Sequence, residues 1–228
     1  MSTWLNDDPY IAPQLHASAL VVIDTQVDFL DGGASPVPGT TEVLPAITDL
    51  LVAFRQAQRP LVHIVRLYDG EDVDLPRRHL IASGAPIVRP HSPGSQIVTN
   101  LLPAGAPTLD ADLLLTGAAQ QVGDNEWALW KPRWGAFHRT TLDERLRALD
   151  VTTVVLAGCN YPNCPRATVY GASERDYRVL IAADAISGVT PQHLDEAARM
   201  GVLAASTRDI ATQLTCASST TRRRSTGG

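Results

Sequence analysis

The sequence is poor in the features that mark several large classes of protein. Cysteine occurs only three times in 228 residues, and aromatic residues make up 5% of the chain. Three cysteines, an odd number without histidines at zinc-site spacing, argue against a disulfide framework and against a zinc module. No run approaches the roughly 18 consecutive apolar residues of a membrane span. The first 18 residues lack the basic start and apolar core of a secretory signal, so we expect a cytoplasmic protein without a membrane partner.

Positive charge is also scarce. Nineteen Lys and Arg residues stand against 24 Asp and Glu residues, which gives a net charge of −5. Because phosphate binding needs clustered Lys and Arg, nucleic acid is not an expected partner. The length predicts a single domain, residues 1–210, and the polar segment 217–228 with its run of three arginines is predicted to be a disordered tail.

Apolar runs alternate with helical patterns along the chain. The run at residues 19–24 is typical of a buried parallel strand, and apolar residues at helical spacing follow it between 43 and 54. This alternation predicts an α/β protein with a mainly parallel sheet and helices on both faces. The irregular segment 69–110 is long enough to be a binding loop. Further strands are predicted at residues 61–66, 112–116, 126–131, 152–157 and 177–182, and further helices at 142–149, 164–175 and from 191 onward.

Four reactive side chains follow the ends of predicted strands. Asp24, Arg66 and Cys164 come after three of them, and Lys131 ends a fourth. In parallel sheets, binding sites form outside the carboxyl ends of the strands, so we expect these residues at one site.

Cys164 lies where a predicted strand passes into a predicted helix. Unpaired backbone N–H groups and the helix dipole favour negative charge there, so the sequence predicts a reactive thiolate. Asp24 is the candidate proton acceptor and donor, and Lys131 would stabilise both Asp24 and the sulfur. The N–H groups of Asn160 and Cys164 could hold an oxyanion. Taken singly, an aspartate that caps a helix, a surface lysine and a buried cysteine would explain the same residues.

The surrounding motifs resemble those of the isochorismatase-like cysteine hydrolases. The chain has Asp24 in Ile-Asp-Thr-Gln-Val-Asp-Phe, Lys131 in Trp-Lys-Pro-Arg-Trp-Gly-Ala-Phe, and Cys164 six residues after Gly158. The resemblance covers about residues 17–205. It implies a three-layer α/β/α sandwich with a six-stranded, mainly parallel sheet, assembled as a homodimer or homotetramer. It also implies a thioester acyl-enzyme with Cys164 as nucleophile, Asp24 as proton shuttle and Lys131 as electrostatic partner.

Further site features come from the same resemblance. It implies a non-proline cis peptide between Cys159 and Asn160, which would turn the Asn160 N–H toward the oxyanion. It places Phe29, Trp134 and Tyr161 at or beside the substrate pocket, although ordinary core packing would explain these three residues equally well.

The chain departs from the metal-binding nicotinamidases of this superfamily because the Asp-x-His pair is absent after the second strand. No metal or other cofactor is therefore expected. The prolines around Cys164 resemble a branch that includes streptothricin hydrolases, which open a lactam in a polycationic antibiotic. Four acidic residues agree with a cationic substrate, since a negative cleft attracts cations; they are Asp69, Glu71, Asp72 and Asp74.

The resulting hypothesis is a cysteine hydrolase that cleaves a C–N amide or lactam bond of a small molecule, with streptothricin-type ring opening as one form. Two alternatives stay open. One is hydrolysis of an isochorismate-type enol ether with Asp24 as general acid. The other is a catalytically inert interaction module.

Overall fold

A computed structural model describes residues 8–225, with side chains described for residues 8–216. The strands are β1 (Ser18–Ile23), β2 (Leu61–Val65), β3 (Gln120–Gly123), β4 (Glu126–Trp130), β5 (Thr153–Gly158), β6 (Arg178–Ile186) and β7 (Leu203–Ala205). The helices are α1 (Thr40–Gln56), α2 (Leu75–Ala82), α3 (Ala111–Leu115), α4 (Leu142–Ala148), α5 (Cys164–Ser173), α6 (Pro191–Ala198) and α7 (Thr207–Ser225). None of these helices is long and apolar enough to cross a membrane.

The strands form one sheet in the order β3-β4-β2-β1-β5-β6-β7. Six of them are parallel, and β3 pairs with β4 in the antiparallel sense. The predicted α/β class and mainly parallel sheet are confirmed. The sheet has seven strands rather than the six that the resemblance implies. The apolar runs revealed neither the short, polar β3 nor the three-residue β7.

Helices cover both faces of the sheet, as a three-layer architecture requires. Side chains of α1, α3 and α7 pack against one face, in a cluster that contains Leu20 and Val155. Side chains of α4, α5 and α6 pack against the other, in a cluster that contains Val21 and Leu156. The central strands β1, β2 and β5 are buried along their whole length. Their continuous apolar sequences are therefore explained by cover on both faces.

The predicted strand at residues 112–116 is wrong. This segment belongs to α3, because Asp110 caps a helix there and its Oδ1 accepts a hydrogen bond from the Leu113 N–H at 3.0 Å. The tail predicted for residues 217–228 stays a prediction: residues 226–228 lie outside the described part, and the side chains of 217–225 are not described.

A long excursion between β2 and α3 covers one end of the sheet. We call residues 69–98 the cover segment, and it includes α2. Its apolar side chains form a separate cluster with Phe29, Tyr68 and Cys159. Asp28 fixes the segment to the loop after β1, since its Oδ2 accepts a hydrogen bond from the Val88 N–H at 2.6 Å. The cover segment thus packs against the carboxyl ends of the central strands.

Candidate active site

Asp24 and Lys131 meet at the carboxyl edge of the sheet. The Asp24 N–H donates to the Ile64 carbonyl at 2.9 Å, and the Lys131 N–H donates to the Val65 carbonyl at 3.0 Å. Both residues therefore continue the parallel pairing with β2 by one step. The Lys131 Nζ atom donates to Asp24 Oδ2 at 2.8 Å, and the two side chains are 0% and 5% exposed. Lys131 is also the only lysine among the 228 residues. A buried ion pair therefore lies where the sequence places the reactive residues.

The second carboxylate oxygen of Asp24 is available for proton transfer. Oδ1 is buried and has no hydrogen-bond partner among the described residues. The backbone of Asp24 is in the left-handed region, at φ 54°, which is uncommon for a residue other than glycine. Such strained conformations concentrate at functional sites. Oδ2 is thus held by Lys131, whereas Oδ1 is free to accept a proton.

Cys164 is the first residue of α5 and lies beside this pair, buried to 8% exposure. Burial, followed by the nearby charge of Asp24, raises the pKa of the Cys164 thiol to about 12, although Lys131 and Arg66 oppose the shift. The prediction of a thiolate at neutral pH is therefore wrong. Loss of hydration and the adjacent carboxylate outweigh the helix terminus. The sulfur must lose its proton during the reaction rather than before it.

The turn between β5 and α5 presents two backbone donors. The N–H groups of Asn160 and Cys164 make no hydrogen bond to any described residue, whereas the neighbouring N–H groups of Cys159 and Tyr161 donate to the carbonyls of Ile23 and Ser187. The free pair agrees with the predicted oxyanion site. Their role itself stays a prediction.

The predicted cis peptide between Cys159 and Asn160 is wrong. No peptide bond within residues 8–225 is cis. The chain reverses instead through Gly158, whose φ of +116° only glycine adopts readily. A Cβ atom at this position would lie 2.2 Å from the Ile23 carbonyl oxygen.

Cys159 is also buried near the ion pair, yet it faces different neighbours. Thr40 and Ser187 are hydrogen-bonded to each other at 3.2 Å. Burial and the charge of Asp24 raise the pKa of the Cys159 thiol to about 12, although Thr40 and Ser187 oppose the shift.

The three predicted pocket residues lie in three different environments. Phe29 packs under the cover segment beside Cys159. The Tyr161 ring packs against His193 of α6, with centroids 5.0 Å apart, so its neighbours are α5 and α6. Trp134 is 41% exposed and lines a cavity of about 570 Å³. Tyr161 shares a cluster with Cys164, whereas Phe29 belongs to another cluster. The role of the three residues in substrate binding stays a prediction.

Residues close in sequence to the site line the 570 Å³ cavity, whereas Asp24, Lys131 and Cys164 themselves do not. It is lined by Ala167, three residues after Cys164 on α5, by Trp134, three residues after Lys131, and by Asp74 of the cover segment. Its volume lies in the range typical of small-molecule sites. Trp134, Phe137 and Tyr170 give it an aromatic wall.

Sequence reasoning missed the pairing of Arg66 with Asp74. Arg66 is 2% exposed and forms an ion pair with Asp74, which is also buried. Its Nη1 donates to the Lys131 carbonyl at 3.2 Å. Its position directly after β2 was the available signal, whereas its partner lies in a segment without a regular pattern.

The acidic residues of the cover segment are largely neutralised. Asp72 contacts Arg133 at 2.8 Å and Arg139 at 3.0 Å. Burial alone would raise the pKa of Asp72, but the hydrogen bonds from these arginines outweigh it and lower the pKa. With Asp74 held by Arg66, only Asp69 and Glu71 remain as unpaired acids of the predicted set. The cationic substrate stays a prediction with less electrostatic support than the sequence suggested.

No group of three or more His, Cys, Asp or Glu side chains among the described residues has the arrangement of a metal site. The expected absence of a cofactor stays a prediction.

Comparison with known proteins gives one consistent family. A family model described as the isochorismatase domain matches residues 18–213. A protein of Arabidopsis thaliana named "probable inactive nicotinamidase" is 32% identical over 186 residues, which is 80% of this chain and 86% of that protein. The ureidoacrylate amidohydrolase RutB of Methylobacterium radiotolerans is 29% identical over 190 residues, covering 78% of this chain and 70% of its own length.

Solved structures agree with this result. The crystal structure of an isochorismatase family protein from Desulfovibrio vulgaris superposes with a TM-score of 0.73 at 31% identity, covering 87% of this chain and 98% of that one. The resemblance inferred from the motifs is confirmed. Since the family match includes β1, Lys131 and the whole of α5, the chain belongs to the isochorismatase family of hydrolases.

Proposed function

We propose that this protein hydrolyses a C–N amide or lactam bond of a small molecule through a thioester on Cys164. The observation that carries the proposal is the buried Lys131–Asp24 pair beside Cys164, with Asp24 Oδ1 left without a partner. A carboxylate in that state is suited to take the thiol proton. The similarity to an enzyme named ureidoacrylate amidohydrolase supports amide chemistry.

In the acylation step, Asp24 accepts the Cys164 proton while the sulfur attacks the substrate carbonyl carbon. The negative charge that forms on the carbonyl oxygen is stabilised by the N–H groups of Asn160 and Cys164. Protonated Asp24 then donates its proton to the departing nitrogen, so the C–N bond breaks and a neutral amine leaves. In a lactam this step opens the ring, and the amine stays attached to the acyl group.

In the deacylation step, Asp24 accepts a proton from water, whose oxygen attacks the thioester. The C–S bond breaks, the carboxylic acid is released, and Asp24 returns the proton to the sulfur. Lys131 keeps its contact with Asp24 Oδ2 throughout. It therefore holds the carboxylate in place while Oδ1 takes up and returns the proton.

The 570 Å³ cavity next to Trp134 is our candidate place for the remainder of a larger substrate, although none of Asp24, Lys131 and Cys164 lines it. Streptothricin-type lactam opening is one form of the proposal, and a cationic antibiotic would meet Asp69 and Glu71.

The proposal also includes a reducing compartment such as the cytoplasm, because the nucleophilic thiol must stay unoxidised. A homodimer or homotetramer is supported by the exposed apolar side chains of Leu75 and Tyr170, and sedimentation velocity will measure it.

The decisive experiment combines a substrate panel with acyl-enzyme trapping. Nicotinamide, pyrazinamide, biuret, ureidoacrylate and a streptothricin are each incubated with the wild-type protein, and ammonia release or ring opening is measured. Rapid quenching followed by intact-mass spectrometry should show the acyl group on the peptide that contains Cys164.

Cys164→Ser should lose activity on the order of 10⁴-fold, whereas Cys216→Ser, which changes an exposed cysteine on α7, should retain it. Full amide hydrolysis by Cys164→Ser would overturn the proposal. Turnover of isochorismate by that variant would identify the enol-ether alternative. No turnover and no acylation by any compound would favour an inert module, an outcome for which the name of the Arabidopsis relative gives a precedent.

A further inference from the structure

Arg66 is a buried arginine at the active site that the proposed reaction does not use. It follows β2 directly and is 2% exposed. Its Nη1 donates to the Lys131 carbonyl oxygen, and its guanidinium lies over the Tyr68 ring, 5.2 Å from the centroid. Burial of an arginine is costly, so a guanidinium in this place needs a reason beyond packing.

The Arg66 backbone is fixed as firmly as its side chain. The Gln26 side chain accepts from the Arg66 N–H at 2.7 Å and donates to the Arg66 carbonyl at 2.8 Å. The same amide nitrogen also donates to the Ser95 carbonyl in the cover segment. Gln26 therefore joins the end of β2 to the cover segment in the way that an additional strand would.

The counter-ion of Arg66 comes from the cover segment. Asp74 immediately precedes α2, is 4% exposed, and forms the ion pair with Arg66. Val73 and Ile81 of the same segment pack with Phe29 and Cys159 in one apolar cluster. The position of the Arg66 guanidinium thus depends on the cover segment being packed in place.

Three charged groups interact electrostatically with the Cys164 thiol, and each comes from the end of a different strand. Asp24 follows β1, Lys131 follows β4, and Arg66 follows β2. Asp24 and Lys131 are bound to each other. Arg66 is therefore the one cation of the three groups whose ion-pair partner, Asp74, lies in the cover segment.

We propose that Arg66 is a positioning residue whose charge favours the anionic sulfur of Cys164, and that Asp74 holds it in place, so that docking of the cover segment is coupled to the reactivity of the nucleophile. This inference rests on the proposed role of Cys164. Thiol alkylation tests it without any turnover, so its failure is distinguishable from failure of the proposed function.

The first test is the pH profile of Cys164 alkylation by iodoacetamide, measured by peptide mass in a Cys216→Ser background. Arg66→Met should move the profile about one pH unit toward alkaline pH, which is about tenfold slower alkylation at a fixed pH below the midpoint. Arg66→Lys keeps the charge and should recover part of the rate.

The matched control is Arg208→Met. Arg208 is an exposed arginine of α7, outside the cover segment and the strand ends. Its removal should leave the Cys164 profile unchanged. A profile for Arg66→Met that overlays the wild type would overturn the inference, whereas a merely structural role would lower thermal stability without moving the profile.

The second test asks whether Asp74 acts through Arg66. Asp74→Asn should slow Cys164 alkylation by about threefold in the wild-type background, because Arg66 is released, and should not slow it in the Arg66→Met background. Equal slowing in both backgrounds would refute the coupling. Should Arg66→Met fail to fold, Arg66→Met/Asp74→Asn removes both charges together, and its profile should still shift toward alkaline pH, by less than one unit because the Asp74 charge is removed as well.

Discussion

Replacement of Asp24 by asparagine separates the stability of this site from its chemistry. Lys131 is fully buried, and Asp24 is its only ion-pair partner among the described side chains. Removing one member of a buried pair leaves an uncompensated charge and costs about 3–5 kcal/mol. For a domain of this size, this corresponds to a fall in Tm of about 6–20 °C. The loss of the proton shuttle should also lower hydrolysis by about 10²–10⁴-fold.

Urea unfolding at neutral pH measures the loss of stability in the Asp24→Asn variant.

A double variant completes the experiment. Asp24→Asn/Lys131→Met removes both charges and should recover most of the lost stability, yet it should remain inactive. Asp112→Asn, whose side chain is 83% exposed, is the control and should unfold like the wild type. If Asp24→Asn unfolds at the wild-type urea midpoint at neutral pH, the assignment of a charged, buried Lys131 is refuted.

Three further substitutions test the framework around the site. Glu126→Gln should cost about 2–4 kcal/mol at neutral pH, since buried Glu126 contacts His63 and Arg55, both at 2.7 Å. Burial would raise the Glu126 pKa, but these hydrogen bonds outweigh it and lower the pKa below the usual 4.5. The stability that ionised Glu126 contributes is therefore present above pH 4.5 and is lost on further acidification, as denaturant titrations should show. Gly158→Ala should lower Tm sharply through its clash with Ile23, whereas Gly135→Ala, with only ordinary contacts, should not. Asp28→Asn should speed hydrogen exchange in the cover segment by weakening its bond to the Val88 N–H; unchanged exchange there would contradict the anchoring role.

The parts of the fold visible in the sequence are those built from continuous apolar runs. β1, β2 and β5 are covered on both faces, so their sequences carry the full pattern of a buried strand. Elements stabilised by tertiary contacts left no such trace. β3 is half polar and β7 has three residues, while α2 begins within the irregular cover segment. The apolar sequence of α3 is compatible with a strand, but the cap supplied by Asp110 favours the helix.

The site was predictable as far as topology determines it. Parallel strands place their carboxyl ends at one edge, so Asp24 and Lys131 could be expected near each other from strand ends alone. The ionisation of Cys164 could not be predicted in this way, because it depends on how deeply the folded chain buries the sulfur. The Arg66–Asp74 pair was equally invisible, since it joins a strand end to a residue whose position no sequence pattern defines.

The single lysine of this chain makes its active site chemically addressable. In the folded protein the Lys131 amine is enclosed and bound to a carboxylate, so amine-selective acylating reagents have no accessible lysine to modify. Acylation of Lys131 would then require the carboxyl edge of the sheet to open. The acylation rate, measured as a mass shift of the peptide that contains Lys131, would therefore report the frequency of local unfolding around the Lys131–Asp24 pair.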